Sequence, residues 1–81
     1  MIDLSRIEKK PGICGGRAHI RGTHIAVWSL VHARRLGVTS HELMMRYAEP
    51  LSAADLTAAW DYYDQNTSEI DEDIRCMTGV A

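Results

Sequence analysis

Apolar and polar residues alternate with a period of two in the first third of the chain, a pattern typical of a β-strand. Ala18 and Ile20 fall on one face of this segment, and polar residues fall on the other. Proline and glycine turn signals precede it, so residues 17–21 can fold back onto residues 5–9. The pattern predicts a short antiparallel β-ribbon within residues 1–26.

Gly22 interrupts this alternation. The apolar positions resume in shifted phase at Ile25 and Val27. Glycine tolerates the backbone conformations of bulges and tight bends better than residues that carry a Cβ atom. We therefore expect Gly22 to hold a bend, through a backbone conformation or a close approach that a side chain would disturb.

After the ribbon, the apolar positions follow the period of three to four residues that is typical of helices. The pattern predicts three helices, at about residues 27–36, 40–47 and 53–66. Pro50 separates the last two. The expected fold class is mainly α with a short N-terminal β-ribbon and a tri-helical, helix-turn-helix-like core over residues 27–68.

The starts of the second and third helices carry the same sequence signature. Thr39 precedes Glu42 by three residues, and Ser52 precedes Asp55 by three. In such a capping box, the hydroxyl and the carboxylate each accept a hydrogen bond from a backbone amide at the helix start. We expect both boxes to form, and Gly37 is placed to end the first helix.

The whole chain, residues 1–81, is expected to be a single domain. Its last part, residues 69–81, is an acidic C-terminal segment. We expect residues 69–73 to add a further turn of helix and residues 77–81 to be loose.

The net charge of −2 is divided unequally along the chain. Residues 1–46 carry eight of the nine Lys and Arg residues and three acids, which gives +5, whereas residues 47–81 carry one Arg and eight acids, which gives −7. Such a division suits contact with a polyanion on one side and with a basic protein surface on the other. The alternative is that the two halves neutralise each other within a dimer or are simply solvated.

A helix, a short turn and a second helix are the elements of a DNA-binding module that reads the major groove. The outward positions of the third helix offer no Arg, Lys, Asn or Gln for reading bases: they are Ala53, Ala54, Thr57, Ala58 and Asp61. The alternative is a tri-helical core that serves packing alone. We expect any contact with DNA phosphates to use arginines of the ribbon and helices: Arg17, Arg21, Arg34, Arg35 and Arg46.

The residue spacings match no catalytic signature, so we expect a protein that is not an enzyme and has no cofactor. Cys14, His19 and His24 are metal-ligand types, but their spacing does not match a zinc site, and we interpret the histidines as partly exposed structural residues. Cys14 and Cys76 make no disulfide framework.

The N-terminus lacks the apolar core of a signal peptide, and no apolar run reaches bilayer length, so we expect a cytoplasmic location.

Several of these elements resemble the domain-of-unknown-function family 433. They are PGICGG and IRGT in the ribbon, GVTS at the second helix start, and W-x-Y-Y in the third helix, over about residues 7–70. The resemblance implies a small domain of a ribbon and helix-turn-helix-like helices, commonly a homodimer. For some members it further implies an antitoxin of the VapB type, paired with a PIN-like ribonuclease toxin of the VapC type.

On this resemblance we expect an antitoxin-like protein that binds such a toxin, with accessory duplex DNA binding for autoregulation. The alternative is a homodimeric interaction or structural module without a toxin or DNA partner. We expect a homodimer because Trp28, Trp60, Met44 and Met45 offer more large apolar surface than a small core buries. The toxin-facing surface is predicted on acids and apolar anchors of the C-terminal part, with a solvated helix end as the alternative: Asp61, Asp64, Glu69, Ile70, Asp73 and Ile74.

Overall fold

In the computed structural model, which describes residues 6–47 and 51–79, two short strands precede four helices. The strands and helices are β1 (Ile7–Glu8), β2 (His19–Ile20), α1 (Val27–Arg35), α2 (Ser40–Arg46), α3 (Ala53–Gln65) and α4 (Thr67–Thr78). The predicted fold class, mainly α with a short N-terminal β-ribbon, is confirmed. The predicted separation of α2 from α3 at Pro50 falls outside the described residues.

The two strands form the antiparallel ribbon that the alternating pattern predicts. Ile7 lies opposite Ile20, and Glu8 lies opposite His19. The backbone amide of Ile20 also donates to the carbonyl of Ile25 at 2.9 Å, which closes the turn that follows β2. The ribbon therefore brings residues from both ends of the glycine-rich connection into contact.

The predicted bend at Gly22 is confirmed, and its cause is the backbone conformation. The φ angle of Gly22 is +77°. No atom lies within 4 Å of the position that a Cβ atom would occupy there. A close approach is therefore not the reason for the glycine, and the cost of a side chain at this position is conformational.

Helices α1 to α3 lie within one residue of their predicted bounds. The amides of Glu42 and Asp55 donate to the hydroxyls of Thr39 and Ser52 at 3.1 Å each. The amides of Thr39 and Ser52 donate back to the same two carboxylates at 3.2 and 3.0 Å. Both predicted capping boxes are therefore formed. Gly37 follows α1 with a φ of +92°, as expected of a residue that ends a helix.

The C-terminal segment is more ordered than the sequence pattern predicts. Instead of a single turn, α4 runs for twelve residues, and Gly79 caps it in the left-handed conformation. Ile70 and Ile74 lie four residues apart on one helix face and are buried, with 0% and 8% of their surface exposed. The expectation of a loose end from residue 77 is wrong for Met77 and Thr78, which belong to α4.

The hydrophobic core receives side chains from the ribbon and from every helix. Trp28, Trp60 and Met44 pack against it, so most of the large apolar surface that suggested a homodimer is satisfied within one chain. Met45 and Leu36 are the most exposed of the large apolar residues described. Within the described residues, every helix is too short or too polar to span a lipid bilayer.

We predict that Gly22→Val lowers the free energy of unfolding by about 1–2 kcal/mol, because a β-branched residue is strained at positive φ. For a domain of this size, the melting temperature should fall by about 4 °C or more in a circular dichroism scan. Gly22→Asn is the matched control, because asparagine adopts the left-handed region more easily. Its melting temperature should fall clearly less than that of Gly22→Val. Equal melting temperatures for the parent chain and Gly22→Val would refute the conformational requirement.

Candidate interaction surface

Two acids of α4 pair with basic residues of the N-terminal part. The ammonium of Lys9 lies 2.9 Å from a carboxylate oxygen of Glu69, which also accepts a hydrogen bond from the Tyr62 hydroxyl at 2.9 Å. The hydrogen bond to Glu69 raises the pKa of Lys9. Arg17 Nε lies 3.4 Å from Asp73 Oδ1. Burial raises the pKa of the Asp73 carboxyl, and the charge of Arg17 offsets this only in part.

A third acid of α4 pairs with the end of α1. Arg35 Nη2 donates to Asp71 Oδ1 at 2.6 Å and also donates to the hydroxyl of Tyr63. Tyr63 in turn donates to Asp71 at 3.1 Å. The hydrogen bond from Arg35 is the largest influence on Asp71 and lowers the pKa of its carboxyl.

We refer to Lys9–Glu69, Arg17–Asp73 and Arg35–Asp71 as the α4 acid–base contacts. They join the positive N-terminal half of the chain to its negative C-terminal half. Three of the eight Lys and Arg residues within residues 1–46 are therefore neutralised within one chain, whereas the alternative from the sequence was neutralisation within a dimer or simple solvation.

These contacts change the predicted toxin-facing surface. Glu69 and Asp73 are engaged within the chain, and Ile70 and Ile74 lie in the core, so neither isoleucine is presented as a surface anchor. Their burial follows from the amphipathic face of α4, which packs on α1 and α3. Asp61 is half-buried and Asp64 is exposed on α3. The six residues are thus divided between the core, the α4 acid–base contacts and the surface.

Two arginines at the end of α1 lie over aromatic rings of α3. The guanidinium carbon of Arg34 is 4.7 Å from the ring centroid of Trp60, and that of Arg35 is 5.3 Å from the centroid of Tyr63. These are cation–π distances. We refer to these two pairs, Arg34 over Trp60 and Arg35 over Tyr63, as the arginine–aromatic strip between α1 and α3.

The two arginines of the strip differ in their electrostatic partners. Arg35 has the carboxylate of Asp71, whereas Arg34 is exposed and pairs with no carboxylate among residues 6–47 and 51–79. The Arg34 guanidinium instead lies over the Trp60 ring. The strip therefore carries one uncompensated positive charge on an ordered aromatic support.

The remaining predicted DNA contacts lie on separate elements. Arg21 is exposed in the turn after β2, and Arg46 is exposed in the last turn of α2. Neither makes an ion pair with another described residue. Arg17 and Arg35 face acids of α4, so two of the five arginines are already matched by carboxylates.

At the start of α3, Ala53, Ala54 and Thr57 are exposed as expected, whereas Ala58 is buried.

A buried histidine in the ribbon is the feature that the sequence analysis missed. His19 was expected to be partly exposed, but its exposed fraction is 0%. Its Nε2 atom lies 3.2 Å from Glu8 Oε1, and Nδ1 lies 3.2 Å from the carbonyl of Arg17. Burial alone would raise the pKa of Glu8, but the Gly22 amide, Lys10 and His19 together lower it. The strand pairing creates this contact, and no spacing in the sequence indicates it.

The other candidate metal ligands do not gather around this histidine. His24 is exposed, and the Cys14 thiol donates to the His24 carbonyl at 3.3 Å. In the part of the chain that the structure describes, no three His, Cys, Asp or Glu side chains are grouped so as to hold a metal ion.

Comparison with known proteins gives one family and one close structural relative. The family model described as "Protein of unknown function (DUF433)" matches residues 7–63. The crystal structure of a DUF433 member protein from Anabaena variabilis ATCC 29413 is 49% identical, with a TM-score of 0.80. The similarity covers 85% of this chain and 67% of that chain. None of the curated proteins matches the chain.

We predict that Asp71→Asn destabilises the chain by at most about 1 kcal/mol at pH 7, because the Arg35–Asp71 pair is close to solvent. The pKa of Asp71 is lowered in the folded chain, so the contribution of the pair is present above about pH 4 and is lost as the pH falls through the lowered value. Thermal unfolding of the parent and the variant at pH 7, 4 and 2 tests this, because their melting temperatures should become equal as the pH falls.

Asp64→Asn is the matched control, because Asp64 is exposed and makes no ion pair with any described residue. Its difference from the parent should stay small at every pH. If Asp71→Asn and Asp64→Asn give the same pH dependence, the carboxylate of Asp71 does not stabilise the fold through Arg35.

Proposed function

The chain belongs to the DUF433 family, and on that premise we propose that it is a non-enzymatic, antitoxin-like protein that binds a PIN-like ribonuclease toxin. The resemblance of its motifs to family members of the VapB type supports this proposal. The observation that carries it is the exposed guanidinium of Arg34, stacked on Trp60 without a carboxylate among the described residues.

The chemistry of the arginine–aromatic strip suits a partner with an acidic site. A PIN-like ribonuclease presents metal-binding carboxylates, and a guanidinium binds a carboxylate through two parallel hydrogen bonds. Stacking on Trp60 holds the Arg34 side chain in place, so less conformational entropy is lost when a partner binds. Arginine, tryptophan and tyrosine are also the residue types that contribute most to protein interfaces. The proposed contact is therefore Arg34 against a toxin carboxylate, with Trp60 beside it.

The acidic segment is the weaker candidate for this contact. Glu69, Asp71 and Asp73 already bind Lys9, Arg35 and Arg17. A partner that used these acids would have to replace three ion pairs within the chain. The exposed strip requires no such replacement, which is why the proposal places the partner at the seam of α1 and α3.

Duplex DNA is a secondary partner in this proposal. Arg21 and Arg46 remain exposed for contacts with phosphates, but the exposed start of α3 carries no side chain that reads bases. Binding through these two arginines would depend on salt and not on base sequence. Toxin binding is therefore the function that the arrangement supports best.

We predict that Arg34→Glu weakens binding to the toxin by about 30-fold or more, because it replaces a central cation with a like charge facing carboxylates. The experiment co-expresses tagged chain with a PIN-like protein encoded next to it, and measures co-purification and growth. The parent chain should retain the toxin and restore growth, and the variant should do neither. Circular dichroism should show that Arg34→Glu remains folded.

Arg46→Glu is the matched control, because it makes the same charge change at an exposed position outside the strip. It should bind and neutralise the toxin like the parent chain. Equal binding by Arg34→Glu and the parent would exclude the strip as the interface. The alternative is a homodimeric interaction module without a toxin partner. It would be favoured if no reading frame for a PIN-like protein lay next to this gene and the chain sedimented as a stable homodimer.

A further inference from the structure

A groove separate from the arginine–aromatic strip lies where the glycine-rich turn, the start of α1 and the end of α4 meet. Its volume is about 420 Å³, within the range of about 300–1,000 Å³ that is usual for small-molecule sites. We name it the Trp28 groove, and its lining includes Cys14, Arg17, His24, Trp28, Ser29 and Met77. The groove shares Arg17 with the α4 acid–base contacts and shares no residue with the arginine–aromatic strip.

One part of the Trp28 groove is apolar and suited to a flat ring. Trp28 is half-buried and packs against the core, so its indole is held in place. Met77 at the end of α4 has 51% of its surface exposed and lines the same groove. An indole face stacks on aromatic rings, and a thioether makes favourable contacts with ring edges.

The other part of the groove is cationic. Among the described residues, Arg17 has one carboxylate partner, Asp73. The distance from Arg17 Nε to Asp73 Oδ1 is 3.4 Å, which is longer than a charge-assisted hydrogen bond. Its Nε atom is buried and makes no hydrogen bond to any described atom. The guanidinium lies across Gly15, where a Cβ atom would be only 2.6 Å from Nη1. Arg17 thus lines the groove with a guanidinium whose approach to Asp73 is through Nε, and His24 belongs to the same lining.

We propose that the Trp28 groove binds a small molecule in which a planar aromatic ring carries an anionic group. The ring stacks on Trp28 and contacts Met77. The anionic group accepts hydrogen bonds from Arg17, since a guanidinium matches the geometry of a phosphate or carboxylate. This proposal does not depend on toxin binding, because it uses none of the residues of the arginine–aromatic strip.

The test is an NMR titration of the ¹⁵N-labelled chain, which has two tryptophan indole signals. The probes are adenosine monophosphate, adenosine and inorganic phosphate, which separate the ring from the anion. Adenosine monophosphate should shift the Trp28 indole signal and leave the Trp60 signal in place. Adenosine and phosphate should each shift Trp28 much less at the same concentration.

Matched variants locate the site. Met77→Ala should weaken binding of adenosine monophosphate by about two- to tenfold, the loss expected for one sulfur–aromatic contact. Met45→Ala should bind like the parent, because Met45 is 73% exposed on α2 and lies outside the groove. Arg17→Lys keeps the positive charge beside Asp73 but removes the planar fork, and it should also weaken binding.

Each remaining outcome overturns the proposal. No shift of Trp28 at millimolar adenosine monophosphate would show that the groove does not take this chemistry. Equal shifts with phosphate alone would remove the role of the ring, and equal shifts with adenosine would remove the role of the anion. Equal losses with Met77→Ala and Met45→Ala would place any binding elsewhere.

Discussion

The burial of one face of α4 is the constraint on which the rest of this structure depends. Ile70 and Ile74 lie in the core, and the helix that carries them packs on α1 and α3. Burying an isoleucine side chain contributes about 1.5–3 kcal/mol, whereas an ion pair near the surface contributes about 0–1 kcal/mol. Apolar burial therefore sets the position of α4, and the acid–base contacts follow from that position.

The position of α4 decides which charges remain available on the surface. Because Glu69, Asp71 and Asp73 face the ribbon and α1, they compensate three of the basic residues that the sequence places in the N-terminal half. Arg34 is next to one of these residues in sequence, yet it lies over Trp60 and has no carboxylate among the described residues. The packing of one helix thus compensates three of these cations and leaves Arg34 over Trp60 without a carboxylate among the described residues.

Features that depend on neighbouring residues could be predicted from the sequence. Both capping boxes and the bend at Gly22 require only local chemistry, and the structure contains all three. The sequence predicts only one turn of α4 because the three residues between Ile70 and Ile74 are all acidic, although the two isoleucines have the i, i+4 spacing of one helix face. That helix also lies beyond residues 7–63, the part that the family model matches.

Features that depend on tertiary contacts could not be predicted in the same way. The burial of His19 requires Glu8 to lie opposite it in the ribbon, a fact of strand register. Arg34 and Arg35 are identical in type and adjacent in sequence, and only the placement of α3 and α4 gives them different partners. The sequence therefore predicts the candidate site as a set of arginines, and only the fold shows which of them pair with a carboxylate of α4 and which, such as Arg34, have none among the described residues.

The central claim is that α4 is an integral part of the folded chain and not an acidic tail that folds on a partner. Native-state hydrogen exchange measures this directly, because it compares the opening free energies of individual backbone amides. We expect the amides of Ile70 and Ile74 to be protected to the same degree as that of Leu30 in the middle of α1. Exchange of the α4 amides at rates close to those of an unfolded peptide, with α1 still protected, would contradict it.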